Sequence, residues 1–366
     1  MKKFRVLNGV VLLSSMLLLL TACSGGETKK AADKKPDTAQ NSKVELSIDG
    51  GEYIIPDGET VDDETGFLAL NIKLKNKSDE KLEISSADFS LYGEDGEKVS
   101  SEHVYDSKGN FKVMSSESLS EDKSFTEPLV FEVDKDAKYE LHYKPTYYSE
   151  DEKDEGVELK LNTKKYTDHT KAVEELVNQY VTTVFYDSDD KEESKLKLSN
   201  DLTQERKAFK EDGINLLKKG FTNYDASNEE VGKIITQIQA SNREKAQVTY
   251  RFKEFFPETA AIYVRPEVVL LQKADKDAIV KQFVDENKGK YSDYASAQRD
   301  AEKYLIQELP TRIKEVAIDT PADMNGEGYR IDLEKKDGKW EINSANESQN
   351  YTFKSLKSSF RGGLNE

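Results

Sequence analysis

Between residues 43 and 165 the hydrophobic and polar positions alternate with a period of two. The clearest runs begin at Leu68, Leu129, Tyr139 and Val157, where every second residue is apolar. This period is typical of strands that bury one face and leave the other in water. Turn-forming residues separate the runs, as at 49–51, 56–58 and 93–96. The segment therefore predicts about seven short antiparallel strands packed as an all-β sandwich.

After Thr167 the apolar residues change to helical spacing. The first predicted helix covers 173–184 and is capped by Thr167 or Asp168, and further helices are predicted at 202–217, at 279–284 and from 291 to Pro310. Strands are predicted at 234–239, 246–256 and 260–272, where Pro266 favours a bend or an edge position. A closing hairpin at 329–342 turns at Asp337-Gly338 and places Trp340 on its apolar side. Residues 167–350 thus predict an α+β domain with long helices and an antiparallel sheet.

The N-terminus carries the features of a secretory signal. Lys2, Lys3 and Arg5 form a basic leader, residues 6–20 are mostly apolar, and small residues precede Cys23. A helix that spans a membrane needs about 20 apolar residues, so this stretch is short for a permanent anchor. Residues 1–22 are expected to be removed as a signal peptide.

The sequence Leu20-Thr21-Ala22-Cys23 resembles the lipobox of bacterial lipoproteins. The resemblance implies that the Cys23 thiol carries a diacylglyceryl group and becomes the new N-terminus, so that membrane lipid holds the protein. The expected location is the extracytoplasmic face of the cell membrane. Residues 23–42 are rich in Lys and Gly and contain no large apolar side chain, which predicts a flexible tether.

Two further resemblances cover the rest of the chain. Residues 66–76, 88–92 and 125–133 resemble the immunoglobulin-like domain of unknown function found in Gram-positive surface lipoproteins, which implies an immunoglobulin-like sandwich over 43–165 and brings no catalytic residues. The helix-first order and the closing hairpin with Tyr329, Gly338 and Trp340 resemble a second lipoprotein domain of unknown function. That domain is distantly similar to nuclear-transport-factor-2 and cystatin-like folds.

The amino-acid composition excludes some classes of protein. The 366 residues include 71 acidic and 54 basic side chains, and loss of Lys2, Lys3 and Arg5 with the signal would lower the net charge from −17 to −20. Such an acidic chain is not expected to bind nucleic acid, because that affinity comes from neutralising phosphate charge. A single Cys excludes a disulfide scaffold, and 18 Tyr with 15 Phe are enough to form real cores.

The sequence predicts no catalytic, cofactor-binding or metal-binding residues. The histidines at 103, 142 and 169 are too far apart in sequence for a zinc motif. Acidic clusters at 150–155 and 187–193 lack the spacing of a calcium loop. No nucleophile motif or phosphate-binding loop occurs. The expected site is limited to lipid attachment at Cys23, with no cofactor.

These observations favour a non-enzymatic binding protein of the cell envelope, anchored by lipid on Cys23 and acting on an unidentified envelope or extracellular partner. One alternative is a solute-capture lipoprotein that feeds a transporter, although the alternating β-α-β series of such receptors is absent from the sequence pattern. The other is an envelope enzyme, for which no motif was found.

Overall fold

The computed structural model describes residues 38–145, 156–189, 194–344 and 350–365. The predicted signal, Cys23, residues 24–37 of the predicted tether and the acidic cluster at 150–155 lie outside these ranges. The predicted tether is wrong over Thr38–Gln40, which form a strand paired with residues 45–47. All described residues belong to one compact unit. Among them, no helix has the length and apolar character needed to cross a membrane.

The first part of the chain forms ten strands. They are β1 (Thr38–Gln40), β2 (Val44–Ile54), β3 (Thr65–Asn76), β4 (Leu82–Ser85), β5 (Phe89–Gly93), β6 (Lys98–Ser100), β7 (Ser116–Leu119), β8 (Ser124–Asp134), β9 (Lys138–Tyr143) and β10 (Val157–Asn162). One sheet has the order β1-β2-β3-β8 and the other β10-β9-β5-β6, while β4 pairs with β7. All these pairs are antiparallel, so the predicted β-sandwich is confirmed.

The second part mixes helices and strands. Its elements are α1 (Thr170–Tyr180), α2 (Leu202–Lys218), α3 (Asn228–Lys245), β11 (Gln247–Phe255), β12 (Thr259–Val269), α4 (Lys276–Glu286), α5 (Tyr294–Glu315), β13 (Ile318–Asp319), β14 (Tyr329–Lys336), β15 (Lys339–Ile342) and α6 (Tyr351–Phe360). The sheet has the order β11-β12-β14-β15, with β13 paired to β12. The α+β arrangement with an antiparallel sheet agrees with the sequence pattern.

The predicted turn at 49–51 is wrong, because these residues lie inside β2. The β2–β3 register shifts between Ile48 and Gly50, which marks a bulge. A Cβ added at Gly51 would lie 2.6 Å from the carbonyl oxygen of Ala69. The two glycines therefore permit a bulge and a close approach of two strands, and the chain does not reverse there.

The predicted strand at 234–239 is also wrong, because these residues lie within α3. Ser227 caps this helix, and the side chain of Glu230 returns to the Ser227 backbone N–H, forming a capping box. The buried side chains recur at helical spacing, namely Val231, Ile234, Ile235 and Ile238. Burial on one helix face outweighs the β preference of the isoleucines.

Two helices begin or end differently from the prediction. His169 occupies the N-cap of α1, although the Asp168 carboxylate accepts a hydrogen bond from Thr170 N–H over 3.0 Å. Burial raises the pKa of Asp168, but the hydrogen bonds from Thr170 and Lys135 outweigh it and leave the pKa below its usual value. Helix α1 continues as a π-helix over Val181–Phe185, and α5 runs through Pro310 to Glu315.

Pro266 lies at a point of β12 where a partner strand is present on only one side. On one side it pairs with Val248 of β11. On the other side the pairing with β14 ends at Val264, and the pairing with β13 begins at Val268. The missing N–H of proline therefore falls in a gap between two partner strands, as the predicted edge position requires.

Aromatic side chains fill the core of the α+β part. Phe185, Phe209, Phe353 and Phe360 are almost fully buried, and Trp340 is 3% exposed. Trp340 packs with its ring centroid 6.0 Å from that of Phe255, so its predicted core position is confirmed. Helix α6 begins after the predicted domain end at residue 350, yet it contributes Phe353, Leu356 and Phe360 to this core.

A second apolar cluster joins the sandwich to the α+β part. The first half of β3 is buried on both faces, so the predicted exposure of Ala69 is wrong, while Asn71 and Lys73 are exposed as predicted; Phe67, on the same face as Ala69, is also buried. These side chains pack with Val130 of β8 and with Phe256 from the turn between β11 and β12. The rings of Phe111 and Phe256 stack at 5.1 Å. We call this apolar cluster, together with the polar contacts that Glu254 makes beside it, the junction.

The polar contacts of the junction centre on Glu254. Its side chain is 2% exposed, and it accepts hydrogen bonds from the Ser107 N–H over 3.1 Å and from the Ser107 hydroxyl. Arg330 Nη2 lies 3.7 Å from Glu254 Oε1. Ile55 and Phe255 exchange two backbone hydrogen bonds of 2.8 Å each. A buried carboxylate that loses such partners is strongly destabilising. These contacts therefore hold the two parts together.

Candidate functional site

The side chains best placed to bind a ligand lie on the solvent side of the β10-β9-β5-β6 sheet. Alternate residues of each strand point away from the sandwich core. We call this surface the outer face; its side chains used below are Tyr92, Lys138, Glu140, His142, Glu158 and Lys160. Their strands pair in a fixed register, with Glu158 opposite His142 and Tyr92 opposite Glu140.

Three of these side chains converge on one imidazole. His142 Nε2 lies 3.6 Å from Glu140 Oε2, and His142 Nδ1 lies 3.6 Å from Glu158 Oε1. One donor atom from each residue lies within 4.8 Å of the other two. The Tyr92 ring packs against the imidazole with centroids 4.5 Å apart. Strand pairing and ring contact thus fix the histidine between two carboxylates.

The two nitrogens of His142 have different surroundings. Nε2 is buried from solvent and has no hydrogen-bond partner among the described residues. The side chain as a whole is 28% exposed, whereas those of Glu140 and Glu158 are 50% and 65% exposed. The carboxylates can therefore move more freely than the ring they flank.

Neither carboxylate of this cluster is neutralised by lysine or arginine within the described ranges. Lys160 lies opposite Glu140 across the strands, yet Glu140 directs its carboxylate toward His142. Elsewhere the described acidic side chains commonly pair with basic ones, as Asp189 does with Arg206. The cluster therefore concentrates negative charge around a single nitrogen base.

A groove of about 790 Å³ runs beside the cluster. Its lining includes Tyr92, Glu94, Lys138, Glu140 and Lys160. The groove is lined by apolar as well as polar side chains and carries both charges, and Lys138 pairs with Glu94 over 3.8 Å. Such a surface suits a polar partner bound in an extended form better than an apolar molecule enclosed on all sides.

The outer face brings a serine, a histidine and two carboxylates together without the serine–histidine hydrogen bond of a hydrolytic triad. Ser90 lies opposite His142 on β5, but His142 Nε2 accepts no hydrogen bond from it. Nucleophilic catalysis needs that bond and a set of donors for the developing oxyanion.

Sequence reasoning did not find this cluster. Two of its members could have been recognised from their spacing, because Glu140 and His142 are two residues apart on one strand and therefore share a face. The third member, Glu158, joins them only through the β9–β10 register. The other two histidines stay apart, since His103 lies in an exposed loop and His169 caps α1.

Cys23 lies outside the described residues. Of the second acidic cluster, Asp187 and Asp189 both pair with Arg206, which favours a structural role for them, while Asp190, Glu192 and Glu193 are not described.

Comparison with known proteins supports a relationship over both parts of the chain. Residues 34–153 match the family model described as "Domain of unknown function (DUF4352)". Over 323 residues the chain is 25% identical to the uncharacterized lipoprotein YcdA of Bacillus subtilis (strain 168), covering 84% of this chain and 86% of that protein. The chain is a homologue of a Gram-positive lipoprotein of unknown function. The crystal structure of the Bacillus subtilis protein matches with a TM-score of 0.70 at 20% identity, covering 89% of this chain and 99% of that one.

Proposed function

We propose that the protein is a non-enzymatic binding protein, anchored by lipid on Cys23 at the extracytoplasmic face of the membrane, and that the outer face binds a polar partner in the envelope. The observation that carries the proposal is the open, mixed-charge groove beside Glu140 and His142. The lipoprotein relative supports the anchor. The acidic charge of the chain argues against nucleic acid as the partner.

The architecture argues against the solute-capture alternative. Receptors of that kind enclose their ligand between two doubly wound lobes with parallel strands. In the described part of this chain the sheets are built from antiparallel pairs, and aromatic side chains fill the core of the α+β part. The enzyme alternative is disfavoured because His142 Nε2 accepts no hydrogen bond from Ser90.

We further propose that the sandwich belongs to the immunoglobulin-like class and that the chain divides into domains near residue 166. The two facing antiparallel sheets support the first assignment. The change from strands to α1 directly after this residue supports the second. In this account the junction holds the domains together, so that the groove keeps one orientation relative to the α+β part.

Site-specific photo-crosslinking in living cells tests the proposed binding face. A photoreactive residue at position 92 or 160 is expected to form a covalent adduct with an envelope component on irradiation, because both side chains line the groove. The matched control is position 281, which is exposed on α4, a helix of the α+β part that packs against α5. Adducts are detected by immunoblot as slower-migrating bands and identified by mass spectrometry.

The proposal requires adducts from the groove positions and none from position 281. Absence of adducts at both 92 and 160, or equal adducts from all three positions, would contradict it.

A further inference from the structure

We propose that Glu140 and His142 bind a Zn²⁺ ion on the outer face, with Glu158 holding the imidazole in place. This inference is independent of the proposed function, because zinc binding is measured on the purified chain. Imidazole and carboxylate are both ordinary zinc ligands, and the two residues share a face of β9.

The distances between donor atoms suit a single small ion. Zinc bonds of about 2.0–2.1 Å in a tetrahedral shell place neighbouring ligand atoms roughly 3.3 Å apart. His142 Nε2 and Glu140 Oε2 are 3.6 Å apart, too long for a hydrogen bond and close to the separation that a shared ion requires. Only a small movement of the half-exposed Glu140 side chain is needed.

The surroundings of the imidazole favour a metal at Nε2. This nitrogen is buried without a hydrogen-bond partner, and a buried polar atom normally has one. Glu158 faces the other nitrogen, Nδ1, at 3.6 Å, and a small movement of its exposed side chain would bring the carboxylate within hydrogen-bond distance. A carboxylate that accepts the Nδ1 proton leaves the lone pair of Nε2 for a metal, as in other zinc sites where a second carboxylate orients the histidine.

Water molecules would complete the coordination shell, since the described residues supply only two direct ligands and one orienting group. The two carboxylates offset the charge of the ion, and no described lysine or arginine forms an ion pair with them, although Lys160 lies opposite Glu140. Mg²⁺ and Ca²⁺ prefer shells made of oxygen ligands, whereas this cluster supplies an imidazole nitrogen, which is an ordinary zinc ligand. The site is therefore expected to select zinc over them.

Isothermal titration of ZnCl₂ tests the site on the full-length chain in detergent micelles. Every sample carries Cys23→Ser, because a free thiol binds zinc, and no polyhistidine tag is present. We expect one zinc ion per chain. His142→Ala and Glu140→Gln are each expected to weaken binding at least tenfold. Glu158→Gln is expected to weaken it about 10- to 100-fold through loss of imidazole orientation.

The matched control is His103→Ala, which removes an exposed histidine far from the cluster in the sequence and should leave the zinc affinity unchanged. In a second measurement, zinc should shift the ring-nitrogen NMR resonances of His142 and leave those of His103 in place. Absence of zinc binding, unchanged affinity in His142→Ala, or an equal loss in His103→Ala would overturn the assignment. So would a His142 ring that responds to pH but not to zinc.

Discussion

Replacing Trp340 with alanine is expected to lower the free energy of unfolding of the α+β part by about 3–5 kcal/mol, the usual cost of truncating a buried aromatic side chain. Trp340 is 3% exposed. Its ring lies against Phe255, and its backbone bonds to Lys197 and Ser199. A domain is typically stable by only about 5–15 kcal/mol, so the loss is a large share of the total.

Chemical denaturation followed by circular dichroism measures this loss, since the variant lacks its only tryptophan. The matched control is Tyr351→Ala, because Tyr351 is 74% exposed and its truncation should change stability by no more than about 0.5 kcal/mol. In the native protein, Trp340 fluorescence should be blue-shifted and poorly quenched by acrylamide. Red-shifted, freely quenched emission, or equal stability of the two variants, would place Trp340 at the surface.

The second large effect is expected at the junction. Glu254→Ala should destabilise the protein by about 2–4 kcal/mol, because it leaves the Ser107 N–H and hydroxyl without their acceptor and removes the carboxylate beside Arg330. The measurement is again denaturant unfolding. Glu341→Ala is the matched control, since the Glu341 side chain is 43% exposed and pairs with Lys336. An exposed pair of this kind contributes at most about 1 kcal/mol.

A double-mutant cycle with Ser107→Ala separates the Glu254–Ser107 contact from other effects of the substitution. A coupling energy above about 0.5 kcal/mol is expected for residues joined directly by hydrogen bonds. If Glu254→Ala costs no more than Glu341→Ala, the buried carboxylate does not hold the two parts together.

The sequence pattern predicted the strands well where one face meets a core and the other meets water. The runs from Leu68, Leu129, Tyr139 and Val157 all became sandwich strands. It misassigned 234–239, because a short isoleucine-rich run fits a strand and a buried helix face equally well. The capping box at Ser227 and Glu230 was the signal that would have distinguished them.

The candidate site could be predicted from the sequence only in part. Glu140 and His142 could be placed on one face from their spacing, but Glu158 reaches them only through pairing between β9 and β10. The junction is a similar case, because Ala69 is buried on a surface that the alternating pattern assigns to water. Both features depend on contacts between segments far apart in the chain, which the local pattern does not encode.

The central claim is that the protein acts outside the cell, held by lipid on Cys23. Metabolic labelling with a radioactive fatty acid, combined with protease treatment of intact cells, tests it most directly. The account predicts a labelled wild-type protein that external protease degrades, and a Cys23→Ala variant that carries no label, because the chain has no other thiol. Label that persists on Cys23→Ala, or a wild-type protein that only lysis exposes to protease, would contradict it.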